Sequence, residues 1–318
     1  MADTTARNSF IKALFIAALA VCLCLAALFV INSYASIDVE VFIDNRLLIP
    51  AVVIQVIAIL LFIQAWKFLL SAQGEFQYSF LESTSHIGVT LMGKYLPGKI
   101  WGLVGRAFLL IRRGHSKSDA VNLLIADQFL TFYSGIGVGT IALLAYFNPL
   151  ASIALLLVTI VSAPFVIGSY DAIIQKILDW SKLFLHRLSE SVDPQVTTID
   201  KKSICMSLIA YVLHWILIAL VLCLLFYPLL AAEPFQNSLL LMAAIPLAML
   251  SGFIALWAPG GIGVREGVIV LILTLNLTVD VALSIAISYR LICVLNDLST
   301  GSATLYYFSR IDPSLLEE

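Results

Sequence analysis

The chain has 318 residues, of which 61% are hydrophobic and only 12% charged, with a net charge of −2. Water-soluble domains carry about a quarter of their residues as charges, so this composition excludes a soluble globule and predicts an all-α polytopic membrane protein. The small net charge hides an uneven spread, because almost every Lys and Arg falls in a few polar stretches between long apolar runs.

A span needs about 20 mostly apolar residues to cross a hydrocarbon core of roughly 30 Å. The first apolar run, 11–31, exceeds the roughly 7–15 residues of a secretory signal core and is expected to stay as a span. Further spans are expected at 48–70, 122–147, 150–167, 204–227 and 239–257, with another at 281–307 that carries Arg290 and Asp297. Two shorter apolar pieces, 100–111 and 264–276, are read as re-entrant or broken-helix elements, giving about seven or eight transmembrane helices in all. The stretch 171–202 mixes Lys176, Lys182 and Arg187 with Trp180, Leu183 and Phe184, which suits an amphipathic cytoplasmic linker lying on the bilayer. Cys22, Cys24, Cys205, Cys223 and Cys293 all lie in apolar runs without metal or redox spacing and are read as packing residues.

Short loops rich in Lys and Arg tend to stay in the cytoplasm. A cytoplasmic N-terminus places Arg7, Lys12, the cluster Lys94, Lys99, Arg106, Arg112, Arg113 and Lys117, and the stretch from Lys176 to Lys202 on the inner side. Arg46, Asn148-Pro149 and Glu233-Pro234 are left outside.

The two short pieces form an internal repeat. Tyr95-Leu96-Pro97-Gly98-Lys99-Ile100 leads through Gly105-Arg106 to a short apolar helix and then Asp119-Ala120-Val121. Trp257-Ala258-Pro259-Gly260-Gly261-Ile262 leads through Val264-Arg265 to another, and then Asp280-Val281-Ala282. The halves are taken as 11–147 and 204–307 of one domain spanning 1–318. Counting 239–257 as a full crossing puts an even number of spans between the turns, so a parallel repeat is expected, both corners on one face. Gly/Pro-interrupted segments at matching positions point to a binding site, because backbone freed by a broken helix is tolerated at membrane depth only against protein or a wet cavity.

Pro259, Gly260, Gly261 and Gly263 make a tight turn into a helix start, where free N–H groups attract anions, and Arg265 and Glu266 set an opposite-sign pair at its mouth. Arg290 and Asp297 are seven residues apart, on one face of the last span, and either is within reach of Asp127. Such charges face a partner or a water-filled cavity; a plain helix-gluing ion pair and a headgroup or proton-coupling role are both open. Gly93-Lys94 and Gly98-Lys99 lack P-loop spacing, and none of His86, His115, His186 or His214 begins H-E-x-x-H. His214 and Trp215 are read as a packed pair, and Gly135, Gly137 and Gly139 as helix-packing glycines.

The run Ala258-Pro259-Gly260-Gly261-Ile262-Gly263-Val264-Arg265-Glu266-Gly267, followed by Ser288-Tyr289-Arg290, resembles the signature of the lysylphosphatidylglycerol synthase transmembrane-region family, also called flippase-like membrane proteins. Lys94-Tyr95-Leu96-Pro97-Gly98-Lys99-Ile100-Trp101 with Gly105-Arg106 resembles the matching upstream element. The resemblance implies movement of aminoacylated phospholipid between leaflets, in members fused to an aminoacyl-transferring domain for which a chain ending at Glu318 leaves no room. The expectation is therefore a stand-alone flippase-like transporter, not an enzyme, without metal or other cofactor. Its cargo would be an anionic or glycan-bearing phospholipid in cell-envelope biogenesis at the bacterial inner membrane. Lys99, Arg106, Arg265 and Arg290 are expected to bind the headgroup, supported by Asp127, Glu266, Asp297, Pro97, Gly98, Pro259, Gly260, Gly261 and Gly263. Envelope-biosynthesis enzymes or a second copy are the expected protein partners, and nucleic acid is not. Two rivals stand: an enzyme of lipid-linked glycan metabolism using Asp127, Asp297 or Glu266 as acid or base, and a non-transporting scaffold of an envelope-biosynthesis complex.

Overall fold

The computed structural model describes residues 46–73, 76–94, 100–173, 175–176, 199–255 and 258–311. The expected span at 11–31, the turn residues Pro97, Gly98 and Lys99, and most of the expected linker at 171–202 lie outside the described residues. Helices follow one another without strands among the described residues: α1 (Leu48–Leu70), α2 (Phe80–Gly93), α3 (Trp101–Arg112), α4 (Lys117–Phe147), α5 (Pro149–Gly168), α6 (Lys201–Leu225), α7 (Pro234–Ile254), α8 (Val264–Leu273) and α9 (Val279–Tyr306). Six of these described helices, α1, α4, α5, α6, α7 and α9, are long and apolar enough to cross a membrane. Leu150, Val161 and Phe165 on α5 and Ile49, Val52 and Val56 on α1 stay exposed, an outward apolar surface that suits lipid rather than water. The chain is a multi-pass membrane protein.

Local chemistry sets the helix starts. Ser116 and Asp119 exchange hydrogen bonds in a capping box that opens α4, the Asn148 side chain caps α5 ahead of Pro149, and Asp200 caps α6. Helix α2 was not among the sequence expectations, because a segment holding Glu82, Ser83, Thr84, Ser85 and His86 is too polar to read as a span. All five of those residues are nevertheless buried. A signal did exist, since Ser79 accepts from the backbone of Glu82 in the usual N-terminal spacing.

Small residues let the longest helices approach closely, which substitutes for a hydrophobic drive between helices in lipid. Ala51, Ala58 and Ala65 are buried along one seam of α1 against α6, with which α1 makes its most extensive contact. There Ser207 donates to the Ala65 carbonyl at 2.8 Å and His214 Nδ1 meets the Ala58 carbonyl at 2.8 Å. Gly135 and Gly139 of α4 receive Leu250 and Leu247 of α7, whereas Gly137 faces open space. Two of the three glycines therefore serve helix packing.

The short helices belong to two helical hairpins. Helices α2 and α3 close on a glycine pair, since a side chain on Gly93 would collide with the backbone of Gly102. At the hairpin's open end the Tyr78 hydroxyl meets His115 Nε2 at 2.6 Å, and Arg113 reaches Glu82 at 3.2 Å. Helices α7 and α8 form the second hairpin. Its open end is tied by the Asn276 side-chain amide donating to Asn237 at 2.8 Å and to Glu233 at 3.0 Å. The tips touch, with Gly260 N–H donating to the carbonyl of Lys94 at 3.2 Å.

The two hairpins open at opposite ends of the bundle. The first opens beside the start of α4, two residues after His115. The second opens beside the end of α4, where the Tyr146 hydroxyl donates to the Leu275 carbonyl. The pairing repeats with exchange of halves: α4 lies along α7 as α9 lies along α2. The repeat is thus inverted, which corrects the parallel arrangement expected from counting 239–257 as a complete crossing. Phe253, near the end of α7, packs on Phe132 midway along α4, so the chain turns back at mid-bundle and only α4, α5 and α6 separate the hairpins. An odd number of crossings reverses direction.

Two apolar clusters divide the interior. One gathers Ile63 to Leu70 with Leu110, Leu123 and Tyr211, and the other gathers Leu222 to Ile245 with Ile269 and Ile285. Thiol labelling checks the inversion. In a chain freed of its own cysteines, a membrane-impermeant maleimide is expected to label Gln77→Cys and Ala232→Cys from opposite sides of sealed vesicles. A parallel repeat would expose both from the same side.

Candidate functional site

Between the two apolar clusters, where the hairpin tips meet, lies a cavity of about 200 Å³. Every hairpin arm contributes to its wall, through Thr90 and Lys94 of the first tip, Leu103 of α3, Gly252 and Phe253 of α7, and Arg265 of α8. Gln128 and Thr131 of α4, His214 and Trp215 of α6, and Tyr289, Asn296, Asp297 and Thr300 of α9 add polar and aromatic lining.

The second tip depends on glycine. Gly260, Gly261 and Gly263 hold φ of 58°, 73° and 82°, a region that side chains rarely enter. This loop is held on α9 by Arg290, which donates to the Gly260 carbonyl at 3.0 Å and lies 3.7 Å from Glu266. Glu266 in turn accepts from Gly263 N–H at 2.7 Å. The first tip is held on the same helix, because Lys94 Nζ reaches both oxygens of Asp297 at 2.7 and 2.6 Å. Helix α9 therefore anchors both tips, with Arg290 and Asp297 on one face but serving different hairpins.

Behind the wall sits a second charge pair. Arg106 lies 2.9 Å from Asp127, both almost wholly buried, and the Arg106 guanidinium stacks 3.4 Å over Trp66. Tyr211 donates to the other oxygen of Asp127, and Gln128 donates to Asp127 at 3.1 Å, linking the pair to the cavity lining. Arg106 Nε and Nη2 find no partner among the described residues.

Arg265 is different. It is 8% exposed, and its Nε and Nη1 are buried without a hydrogen-bond partner among the described residues. Its stem runs through a slot between Gly252 and Gly261, where a methyl group on either glycine would collide with it. No described carboxylate neutralises it: Asp297 holds Lys94, and Glu266 holds Arg290 rather than its neighbour.

The expected site residues thus separate into groups. Arg265, Gly260 and Asp297 line the cavity, while Arg290, Glu266, Gly261 and Gly263 shape the tip that bounds it. Arg106 and Asp127 form an ion pair behind the wall, although Arg106 Nε and Nη2 have no partner among the described residues. Asp127 pairs with Arg106 and not with Arg290, and Asp297 with Lys94, so the pairings suggested by helical spacing alone are replaced by contacts of the first hairpin with the long helices α4 and α9. Sequence reasoning passed over Lys94 as a tip residue, Gln128, and Gly252, whose role shows only when α8 folds back against α7 and brings Arg265 onto it. His214 and Trp215 are buried, as a packed pair should be, and also line the cavity.

The model of the family described as lysylphosphatidylglycerol synthase TM region matches residues 11–295. That window takes in both hairpins and all the charged residues above except Asp297, which falls just beyond it. No curated protein matches the chain.

Breaking a buried ion pair from one side typically costs about 3–5 kcal/mol, whereas an exposed pair is worth about 1 kcal/mol or less. Asp127→Asn is therefore expected to destabilise the protein by about 3 kcal/mol in equilibrium unfolding from detergent. Glu266→Gln, at a longer pair that is less deeply buried, should cost less, about 1–2 kcal/mol. Equal losses would contradict the burial difference.

Proposed function

Because the chain belongs to the lysylphosphatidylglycerol synthase TM region family, a family of envelope-lipid membrane proteins, we propose that it is a flippase-like transporter. It binds the anionic headgroup of a phospholipid or glycan-bearing lipid at Arg265 and passes it between leaflets. The observation that carries this reading is the state of Arg265, buried on the wall of a mid-bundle cavity with its Nε and Nη1 lacking a partner among the described residues. A charged side chain at the centre of a span costs roughly 2.5–3.5 kcal/mol on insertion scales. Arg106 and Arg290 offset that cost with a carboxylate inside the fold; Arg265 leaves the place for an anion brought from outside.

On this reading the hairpins are re-entrant, one entering from each leaflet, and their tips separate the two routes to the cavity. Inverted repeats of this kind let one half rock against the other about a central site. The end of the bundle bearing Arg112, Arg113, Lys117, Lys201 and Lys202 then faces the cytoplasm, opposite Arg46, Glu233 and Asp280. With the span expected at 11–31, that orientation would keep the N-terminus inside, and it suits a bacterial inner membrane. Acyl chains stay in the bilayer while the headgroup crosses. Asp127, Glu266 and Asp297 each hold a cation, which favours transport over acid–base chemistry by an enzyme of lipid-linked glycans.

The test is flipping of fluorescent anionic lipids in vesicles holding the purified protein, read by quenching of the outer leaflet. Arg265→Met is expected to fold as well as the parent or better, because it removes an uncompensated buried charge, yet to lower the flipping rate at least tenfold. Equal rates with and without protein, across several headgroups, would discard transport and leave the scaffold reading.

A further inference from the structure

We infer that the cavity selects a lipid phosphodiester of single negative charge whose headgroup is otherwise uncharged and rich in hydroxyls; this rests on the anion-binding reading of Arg265. The argument begins with charge. Among the described lining residues Lys94 and Arg265 each carry one positive charge and Asp297 one negative, with histidine neutral, so the wall has a net charge of +1. One phosphodiester anion brings that to zero. A pyrophosphate brings at least one further negative charge with no counter-charge in the described lining, in a site whose wall is otherwise largely apolar, where an unpaired charge is costly.

The second step concerns the rest of the headgroup. A headgroup that adds an ammonium to the phosphodiester is a zwitterion of net charge zero, which leaves the wall's single positive charge uncancelled, and the carboxylate in the described lining, Asp297, has both oxygens held by Lys94. What remains is neutral. The Asn296 carboxamide lines the cavity and makes no hydrogen bond to a described residue, and Gln128 donates an N–H to Asp127 while its carbonyl oxygen is left for a guest. A carboxamide both donates and accepts, as a hydroxyl does, so a pair of them around a lone arginine matches a polyol or sugar joined to a phosphate.

The same charge count gives a specificity switch. Replacing Asp297 by Asn raises the lining charge from +1 to +2 without changing side-chain size, which should turn preference toward a ligand of higher charge.

The experiment measures dissociation constants of the full chain in detergent for four water-soluble probes. These are dihexanoyl phosphatidylglycerol, dihexanoyl phosphatidylethanolamine, farnesyl pyrophosphate, and glycerophosphoglycerol, which has the phosphodiester without acyl chains. The parent is expected to bind phosphatidylglycerol at least tenfold tighter than each of the other three, and Arg265→Met to lose at least tenfold of that affinity. Asp297→Asn should shift the ratio toward farnesyl pyrophosphate at least tenfold. Farnesyl pyrophosphate bound by the parent as tightly as phosphatidylglycerol, with the same dependence on Arg265, would overturn the single-charge inference and leave anion binding standing. Equal affinity for phosphatidylethanolamine would overturn the neutral headgroup, and equal affinity for glycerophosphoglycerol would overturn a lipid ligand. If no probe responded to Arg265→Met, the anion site and this inference would both fall. The parent panel decides even if Asp297→Asn does not fold.

Discussion

A polar group taken out of water must be met by something else, and at the centre of this bundle the meeting is arranged by two hairpin tips pressed against one helix. Where α2 and α7 stop short, their last carbonyls and the N–H groups of the following turns would lie in apolar surroundings. Gly260 answers with an N–H to Lys94, Arg290 answers the Gly260 carbonyl, and Lys94 answers Asp297. The cavity exists because these contacts hold the tips together at points and leave space between them. Filling that space with apolar side chains would bring back the tight packing found in the clusters above and below, and would bury the tips' polar groups with it.

The two arginines of the repeat show how position decides role. Arg106 stands nine residues after Pro97 and Arg265 six after Pro259, so they sit about one helical turn apart in register, on similar faces of their helices. The arginine nearer its tip reaches the cavity. The one a turn farther away falls behind the wall, where Asp127, Tyr211 and Trp66 surround it. Inversion of the repeat thus yields one closed site and one open site, and a symmetric scaffold carries an asymmetric chemistry.

Much of this was legible in the chain. The long apolar runs ended within a few residues of the observed helices, because length and hydropathy are set by the membrane itself. The second Pro-Gly corner was legible too, as a glycine-rich turn entering α8 at positive φ, whereas Pro97 and Gly98 lie outside the described residues. Direction was not legible: α7 has the length and apolarity of a crossing, and nothing in its composition says that it turns back at Phe253. Ion-pair partners were hidden for a related reason. Helical spacing compares residues within one segment, whereas Lys94 and Asp297 are 203 positions apart and meet only because a hairpin tip is laid across α9. Gly252 illustrates the same limit at a single atom, for its missing side chain matters only beside the stem of Arg265.

A ligand moves a conformational equilibrium only through a difference in its affinity for the two states, and the proposed cargo has a source of that difference. Arg265 belongs to the second hairpin and Lys94 to the first, yet both face the same cavity. An anion lying between them is attracted by both cations while the tips are together and by fewer once they part. Helix α9 would feel the change at two levels, through Asp297 where Lys94 is drawn away and through Arg290 where the Gly260 turn is held. Because those anchors lie on one face about 10 Å apart along a single helix, displacement of one tip need not break the other, so the hairpins can move in turn. A headgroup whose charge cancels the wall's single excess would be held firmly enough to pull on the tips and loosely enough to leave.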